Sequence, residues 1–380
     1  MNLWSEACKV LLDGTGTLSK KHTAYLECYP SHLVSQKGVH VLGVDNKTYV
    51  DWIGGLGANL DGFGVSMSIP SHLEIKAATM LTKRFPIDKV KILKSGSAAC
   101  HGAVRIARAC CPGRPWVYGT GYHGWIEPYV TEPPKAGVIN GNGMYQKVQD
   151  IQEIYSLCKA TLPCAVIIEP VELDDSAKRK REVRKLRQFC IDNEILFIAD
   201  EIITGSRWKK FSVSADWDLS PDLMCLGKGM AGGHAIGIIG GSSHVMNKAE
   251  KAGVFISTTF SGVVPDLEAL IHHLETWTET DLALLWLRGA RLMRVFNKIS
   301  KRVQLIGYPT RLTWKGDELD VAKFWQGMCG LGHLCGKAFF IGSCHTDDVI
   351  NEFLAKSKVV LKNLNEIKLI GPLPRPAFKR

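Results

Sequence analysis

Through the middle of the chain, short and nearly unbroken apolar runs alternate with longer stretches whose apolar residues recur at helical spacing. The runs are Trp116–Gly119, Ala165–Glu169, Leu196–Asp200, Leu223–Leu226 and Ala235–Gly240. Continuous apolarity over so few residues predicts strands buried on both faces, as in a parallel sheet layered between helices. Ala98–Cys111 and Glu182–Asn193 read as two of the covering helices. The alternation predicts a doubly wound α/β domain, and sheets of that kind bind ligands beyond the carboxyl ends of their strands. Glu169, Asp200 and Lys228 all fall at such ends.

The two ends of the chain follow other patterns. Val39–Ile53 alternates like a hairpin, with a turn at Asp45-Asn46-Lys47. Toward the C-terminus, helix-like Leu282–Ile299 is followed by strand-like Arg311–Trp314 and Ala338–Gly342, then by a helical pattern over Asp347–Leu361. The expected division is a large domain over residues 56–272 and a small α+β domain built from both termini, residues 1–55 and 273–380.

Lys228 stands between Gly227 and Gly229, 28 positions beyond Asp200. A strand-end acid followed at that distance by a glycine-flanked lysine suits pyridoxal phosphate. The amine forms a Schiff base with the cofactor's aldehyde, and the carboxylate keeps the pyridine nitrogen protonated. Other segments fit the same ligand, each with a plainer alternative. Ser95-Gly96-Ser97 opens a helix, whose N–H groups and positive dipole end suit a phosphate; a serine there is also an ordinary N-cap. Gly121-Tyr122-His123-Gly124-Trp125 offers a planar side chain to a ring, or an aromatic core cluster. Glu169 faces the cofactor or simply ends its strand. Extended geometry puts Asp200 and Ile202 on one face and Glu201 on the other, so the acid reaches the ring nitrogen while Ile202 packs on the ring. The hydroxyl-rich segment Ser257–Gly262 is either a phosphate turn or a loop.

Composition narrows the class. Apolar residues make up 46% and charged residues 22% of the 380, the balance of a soluble globular protein with room for two domains. No apolar run reaches the length of a bilayer span and the N-terminus lacks a basic-then-apolar signal, so a cytoplasmic protein is expected. The 12 cysteines form no CxxC pair and no zinc-type spacing with histidine, which predicts reduced thiols and no metal. The net charge of +10 is concentrated in Lys178-Arg179-Lys180-Arg181 and continues through Arg184, Lys185 and Arg187. Such a run is the solvated face of a helix or a patch for a polyanion.

Taken in order, the segments SGSAA, YHG, IIEP, ADEIITGSR, PDLMCLGKGMAGG and STTFSG resemble the class III aminotransferases of pyridoxal-phosphate fold type I, and within them the glutamate-1-semialdehyde aminomutase-like branch. The likeness runs from Gly38–Asp51, similar to the family's entry hairpin, to Phe340–Asp348, similar to its C-terminal strand and helix start. The resemblance implies an α/β large domain with a mostly parallel central sheet, a small α+β domain, and a homodimer with shared active sites. It implies Lys228 as the Schiff-base lysine and proton shuttle, Asp200 as the partner of the pyridinium, and Ile202 and Tyr122 as the two faces against the ring. Gly96 and Ser97 are implied as phosphate ligands, joined by the partner subunit's Thr259. His123 and Glu169 match motif positions, the first as a cofactor contact and the second as a catalytic carboxylate.

Four departures stand out, the first two bearing on the phosphate loop and the dimer contact and the last two on substrate. Ala98 stands where the family carries an acid after Ser-Gly-Ser, and Ser261–Asp266 replaces a more polar stretch. The aminomutases hold their substrate's carboxylate with an N-terminal arginine, and the matching region Tyr29–Ser35 has none. The loop Val171–Ser176 is short and acidic. The expected function is amino-group transfer or an aminomutase reaction on a small amine or amino acid. A decarboxylase or other lyase shares its early steps. Chemistry on a polyanion such as a modified DNA base rests only on the run 178–187. A scaffold that has lost activity would need neither Asp200 nor Lys228.

Overall fold

The computed structural model describes residues 3–26, 28–53, 55, 58, 65–126 and 144–374. The chain divides into two units, Met1–Pro170 with Arg181–Trp277, and Val171–Lys180 with Thr278–Arg380.

After the helix Leu3–Val10, the first unit forms a three-stranded antiparallel sheet of β1 (Leu33–Lys37), β2 (His40–Gly43) and β3 (Thr48–Val50). The expected hairpin is β2–β3, and Asn46 makes its turn with a left-handed φ of 63°. β1 escapes the apolar pattern because Ser35, Gln36 and Lys37 are polar, the middle one half-buried and its neighbours exposed.

The main sheet has seven strands: β4 (Lys89–Leu93), β5 (Val117–Thr120), β6 (Tyr145–Lys147), β7 (Ala165–Ile168), β8 (Leu196–Asp200), β9 (Leu223–Gly227) and β10 (Gly237–Gly241). Their spatial order is β4-β10-β9-β8-β7-β5-β6. The pairs from β9 across to β6 are parallel, whereas β10 runs antiparallel to both β9 and β4. The run Ala235–Gly240 is therefore a strand as expected, but a reversed one. The link from Gly227 to Gly237 is too short for the crossover that a parallel neighbour requires.

β4 escapes the apolar pattern because it reads Lys-Val-Lys-Ile-Leu, yet all five residues are buried. Lys91 is accommodated by donating to Thr15 O at 3.0 Å and lying 3.5 Å from Asp13 Oδ2. A buried ammonium needs such partners. Against the sheet lies the helix Gly96–Cys110, whose Ala103, Val104 and Ala107 share a core with Ile167, Ile198 and Ile239. Burial of each large aliphatic side chain here stabilises by roughly 1.5–3 kcal/mol before ordering costs.

Where the sequence joins residues 1–55 to the small domain, the structure places them with the first unit. Leu11 bridges Val90 of β4, and Leu33 N–H donates to Pro70 O at 3.0 Å. Residue 56, the expected edge of the large domain, lies outside the described residues. The other expected edge, at 272–273, falls inside the helix Val264–Thr276, so the first unit ends after it, at Trp277.

In the second unit, Thr278 and Asp281 cap the helix Glu279–Ile299 reciprocally. β11 (Val303–Tyr308), β12 (Arg311–Gly316) and β13 (Phe339–Phe340) form an antiparallel sheet accompanied by the helices Glu318–Gly330 and Asp347–Lys362. Phe296, Trp314, Phe324, Phe339 and Phe353 meet in one aromatic cluster. Val171–Lys180 joins this unit through Arg311, which is buried and donates to Glu172 O at 2.7 Å.

The basic run lies on the helix Ala177–Asp192, which starts earlier than Glu182 because lysine and arginine are good helix formers. Arg179 lies 3.6 Å from Glu172, Arg184 pairs with Asp218 at 2.8 Å, and Arg187 pairs with Asp222 at 2.9 Å. These pairings favour the helix-face reading over a polyanion patch. Among the described residues, no helix is long and apolar enough to cross a membrane.

Candidate active site

Strand β8 ends in Asp200, whose side chain lines a cavity of about 210 Å³ at the carboxyl ends of the strands. Gly96, Ser97, Tyr122, His123, Glu169, Ile202 and Lys228 line the same cavity, so eight of the nine predicted site residues are brought together. Thr259 is elsewhere, its carbonyl accepting from Ser66 Oγ at 3.3 Å and from Lys20 Nζ at 3.4 Å. Lys20 is a buried cation in the N-terminal segment, ahead of the arginine-free stretch 29–35. Burial holds its ammonium below the usual lysine range.

Three donors hold Asp200, which is 4% exposed. His123 Nδ1–H donates to Oδ2 at 2.7 Å, Cys100 S–H donates to the same oxygen at 3.3 Å, and Ile202 N–H donates to Oδ1 at 3.0 Å. The next residue, Glu201, points the other way as predicted. Its buried carboxylate accepts from Val213 N–H, Ser214 N–H and the Thr204 hydroxyl, fixing the loop after β8. Burial raises the Glu201 carboxyl above the usual range, and these hydrogen bonds oppose the shift.

Sequence reasoning missed Cys100. Its one available signal was its position, four residues after Gly96 on the same helix. With His123 and Asp200 it brings a sulfur, a nitrogen and an oxygen within 4.8 Å of one another. That grouping has ligand types familiar from metal sites, and it already serves as the hydrogen-bonded support of Asp200.

On the same cavity, Lys228 follows β9 at the start of a 3-10 turn, Lys228–Ala231. Its φ of 46° lies in the left-handed region, which a side-chain-bearing residue seldom occupies. Backbone held in that region is concentrated at functional sites. The helix Gly96–Cys110 opens into the cavity, with Ser95 Oγ accepting Ala98 N–H at 3.1 Å as its cap. A Cβ on Gly96 would lie 2.9 Å from Ile202 Cγ2, so only glycine lets the helix start come this close to Ile202. A Cβ on Gly237, the first residue of β10, would collide with Ser95 O. Glu169 Oε1 accepts Tyr122 N–H at 3.0 Å, so this acid holds the loop that carries the aromatic.

These residues fit pyridoxal phosphate. The cavity offers an amine for an aldehyde, a buried carboxylate for a ring nitrogen, and a helix N-terminus for a phosphate.

A family profile for aminotransferase class-III matches residues 128–294. Glutamate-1-semialdehyde 2,1-aminomutase of Wigglesworthia glossinidia brevipalpis is 28% identical over 298 residues, spanning 68% of each chain. The enzyme of the same name from Francisella philomiragia is 26% identical over 402 aligned positions, spanning 96% of this chain and 87% of its own. Among solved structures, an omega-transaminase from Sphaerobacter thermophilus shares the fold at a TM-score of 0.71 and 19% identity, over 96% of this chain and 97% of that one. A glutamate-1-semialdehyde aminomutase from Pseudomonas aeruginosa aligns at a TM-score of 0.68 and 17% identity over 88% of both chains. Over the matched residues, and with the fold and cavity in agreement, the chain is similar to the class III aminotransferases, and its cavity suits their cofactor, pyridoxal 5'-phosphate.

Proposed function

We propose that the protein moves an amino group from a small amine or amino acid to a carbonyl compound, using Lys228 as the cofactor-binding amine and Asp200 as the counter-charge of the ring nitrogen. Bound in the cavity, pyridoxal phosphate supplies an electron-accepting ring that makes the C–H bond beside the substrate's amine acidic. Lys228 Nζ would take that proton and return it at a neighbouring carbon. Asp200 keeps the ring nitrogen positive, its own charge steadied by His123, Cys100 and Ile202 N–H. Ile202 and Tyr122 line the cavity and would flank the ring, keeping water away from the acidified carbon.

Gly96 and Ser97 receive the phosphate at the helix N-terminus. Thr259 lies outside its own chain's cavity, which supports a homodimer in which the partner subunit's Thr259 completes the phosphate site. The two units of the chain are read as the large and small domains of this enzyme. Free thiols at the cysteines support a reducing, cytoplasmic setting.

One observation carries the reading: Lys228 and Asp200 line the same cavity. Borohydride treatment of the protein incubated with pyridoxal phosphate should fix the cofactor on the peptide that contains Lys228. Label on another lysine, or none on well-folded protein, ends the proposal. The missing arginine in Tyr29–Ser35 favours transfer between two molecules over the aminomutase reaction on glutamate semialdehyde. A screen of amine donors, read by the cofactor's colour change, separates these. Carbon dioxide release without that change points to a lyase instead.

A further inference from the structure

We propose that Cys100 is a positioning residue for Asp200, its thiol hydrogen bond setting how strongly that carboxylate holds the cofactor's ring nitrogen. The inference rests on the reading of the cavity as a pyridoxal-phosphate site and extends it by one residue. Cys100 lies one turn beyond Gly96, is 1% exposed, and lines the cavity. Its S–H donates to Asp200 Oδ2, the oxygen that also accepts from His123, while Ile202 N–H occupies Oδ1. An ionised carboxylate offers about four acceptor directions. The protein fills three of them, and one remains for the ring nitrogen.

The thiol is suited to this place by its weakness as a donor. Each donor disperses part of the carboxylate's charge, so the number and strength of donors govern its pull on a pyridinium. A sulfur restrains the carboxylate while leaving most of that charge for the ring. Contact with the Cys225 thiol, together with burial, pushes Cys100 far above the usual thiol range. The sulfur therefore stays protonated, a donor and never a competing anion. A hydroxyl in its place would disperse more of the Asp200 charge, and a methyl group none. The two replacements push the ring's electronics in opposite directions, which a space-filling residue has no means of doing.

The test compares the wild type with Cys100→Ala and Cys100→Ser. Each apoprotein is titrated with pyridoxal phosphate, and each holoenzyme is titrated with pH while the visible absorbance of its bound cofactor is followed. Cys100→Ala, which leaves more of the Asp200 charge for the ring, should tighten cofactor binding about three- to tenfold, the worth of one modest hydrogen bond, and displace the absorbance midpoint. Cys100→Ser, which disperses more of that charge, should weaken binding and displace the midpoint the other way. With a competent amine donor, kcat should change while KM stays within about twofold. Midpoints moving in the same direction, or an alanine variant identical to wild type in both titrations, overturn the proposal. If the alanine variant does not fold, the serine variant decides, and an unmoved midpoint there overturns it. A wild-type apoprotein that takes up no pyridoxal phosphate overturns both this inference and the functional reading beneath it. A competent wild type with unaltered variants overturns this inference alone.

Discussion

Tyr122 donates its backbone N–H to Glu169 Oε1 at 3.0 Å, so the acid that follows β7 fixes the loop carrying the aromatic side chain of the cavity. The bond needs an acceptor and not a charge. Glu169→Gln keeps an oxygen in place and should retain most activity. Glu169→Ala frees the loop, misplaces the ring face and should lower kcat/KM by about 10²-fold, the cost of small misplacements at a reacting centre. Steady-state kinetics of the two variants check this, and equal losses would show that the carboxylate acts chemically.

Gly96 and Ile202 are pressed together at the start of the phosphate helix. Gly96→Ala would bring a methyl group within 2.9 Å of Ile202 Cγ2 and should weaken cofactor binding. Adding Ile202→Val, which shortens the opposing side chain, should recover part of the loss. The double-mutant cycle should show a coupling of about 0.5–3 kcal/mol between the two positions, and additive effects would refute the packing account.

Arg187 holds Asp222 at 2.9 Å, and Asp222 Oδ2 in turn accepts Phe197 N–H of β8 at 2.8 Å. The arginine is thus tied to the sheet and not presented to solvent as part of a basic patch. Arg187→Ala should destabilise the protein by about 1–3 kcal/mol in urea unfolding. Lys185→Ala on the same helix should cost almost nothing. Neither change should create or abolish salt-sensitive DNA binding, which a gel-shift titration checks.

His273 should make the protein acid-sensitive. Burial first, then the charges of Arg84 and His272, lower it from 6.5 to about 4. The folded state therefore keeps this imidazole neutral over a range in which the unfolded chain takes up a proton. Its stabilising contribution is complete above pH 6.5, is lost as pH falls from 6.5 toward 4, and changes no further below that. His273→Gln does not titrate, and an amide has groups to replace the contact with Ser206 Oγ at 2.9 Å. Urea midpoints measured across this window should fall more steeply with acid for the wild type than for the variant.

The site was legible in the sequence because its parts sit at the ends of apolar strands. Asp200 closes Leu196–Ala199 and Lys228 follows Leu223–Gly227, so strand pattern and chemistry pointed to the same residues. What stayed hidden depends on partners distant in sequence. Lys91 makes β4 look polar until Thr15 and Asp13 are seen to receive its charge. The reversal of β10 depends on the length of a link, which strand composition does not encode. The N-terminal segment alternates like an independent small-domain piece, yet Leu11 and Leu33 meet Val90 and Ser71 of the first unit. Cys100 was one of 12 cysteines with no spacing to mark it, and only the geometry sets it against Asp200.

The meeting of Gly237 with Ser95 O ties two distant ends of the cofactor's berth to one ruler. The stretch that begins at Lys228 also decides which residue arrives beneath the cap of the phosphate helix. Insert or remove one residue there, and Ile236 or Ile238 takes the place where only hydrogen fits, prising the helix start away from the strand. A change of length beside the reactive amine would thus be felt as a lost grip on phosphate, and this scaffold has to accommodate its insertions elsewhere.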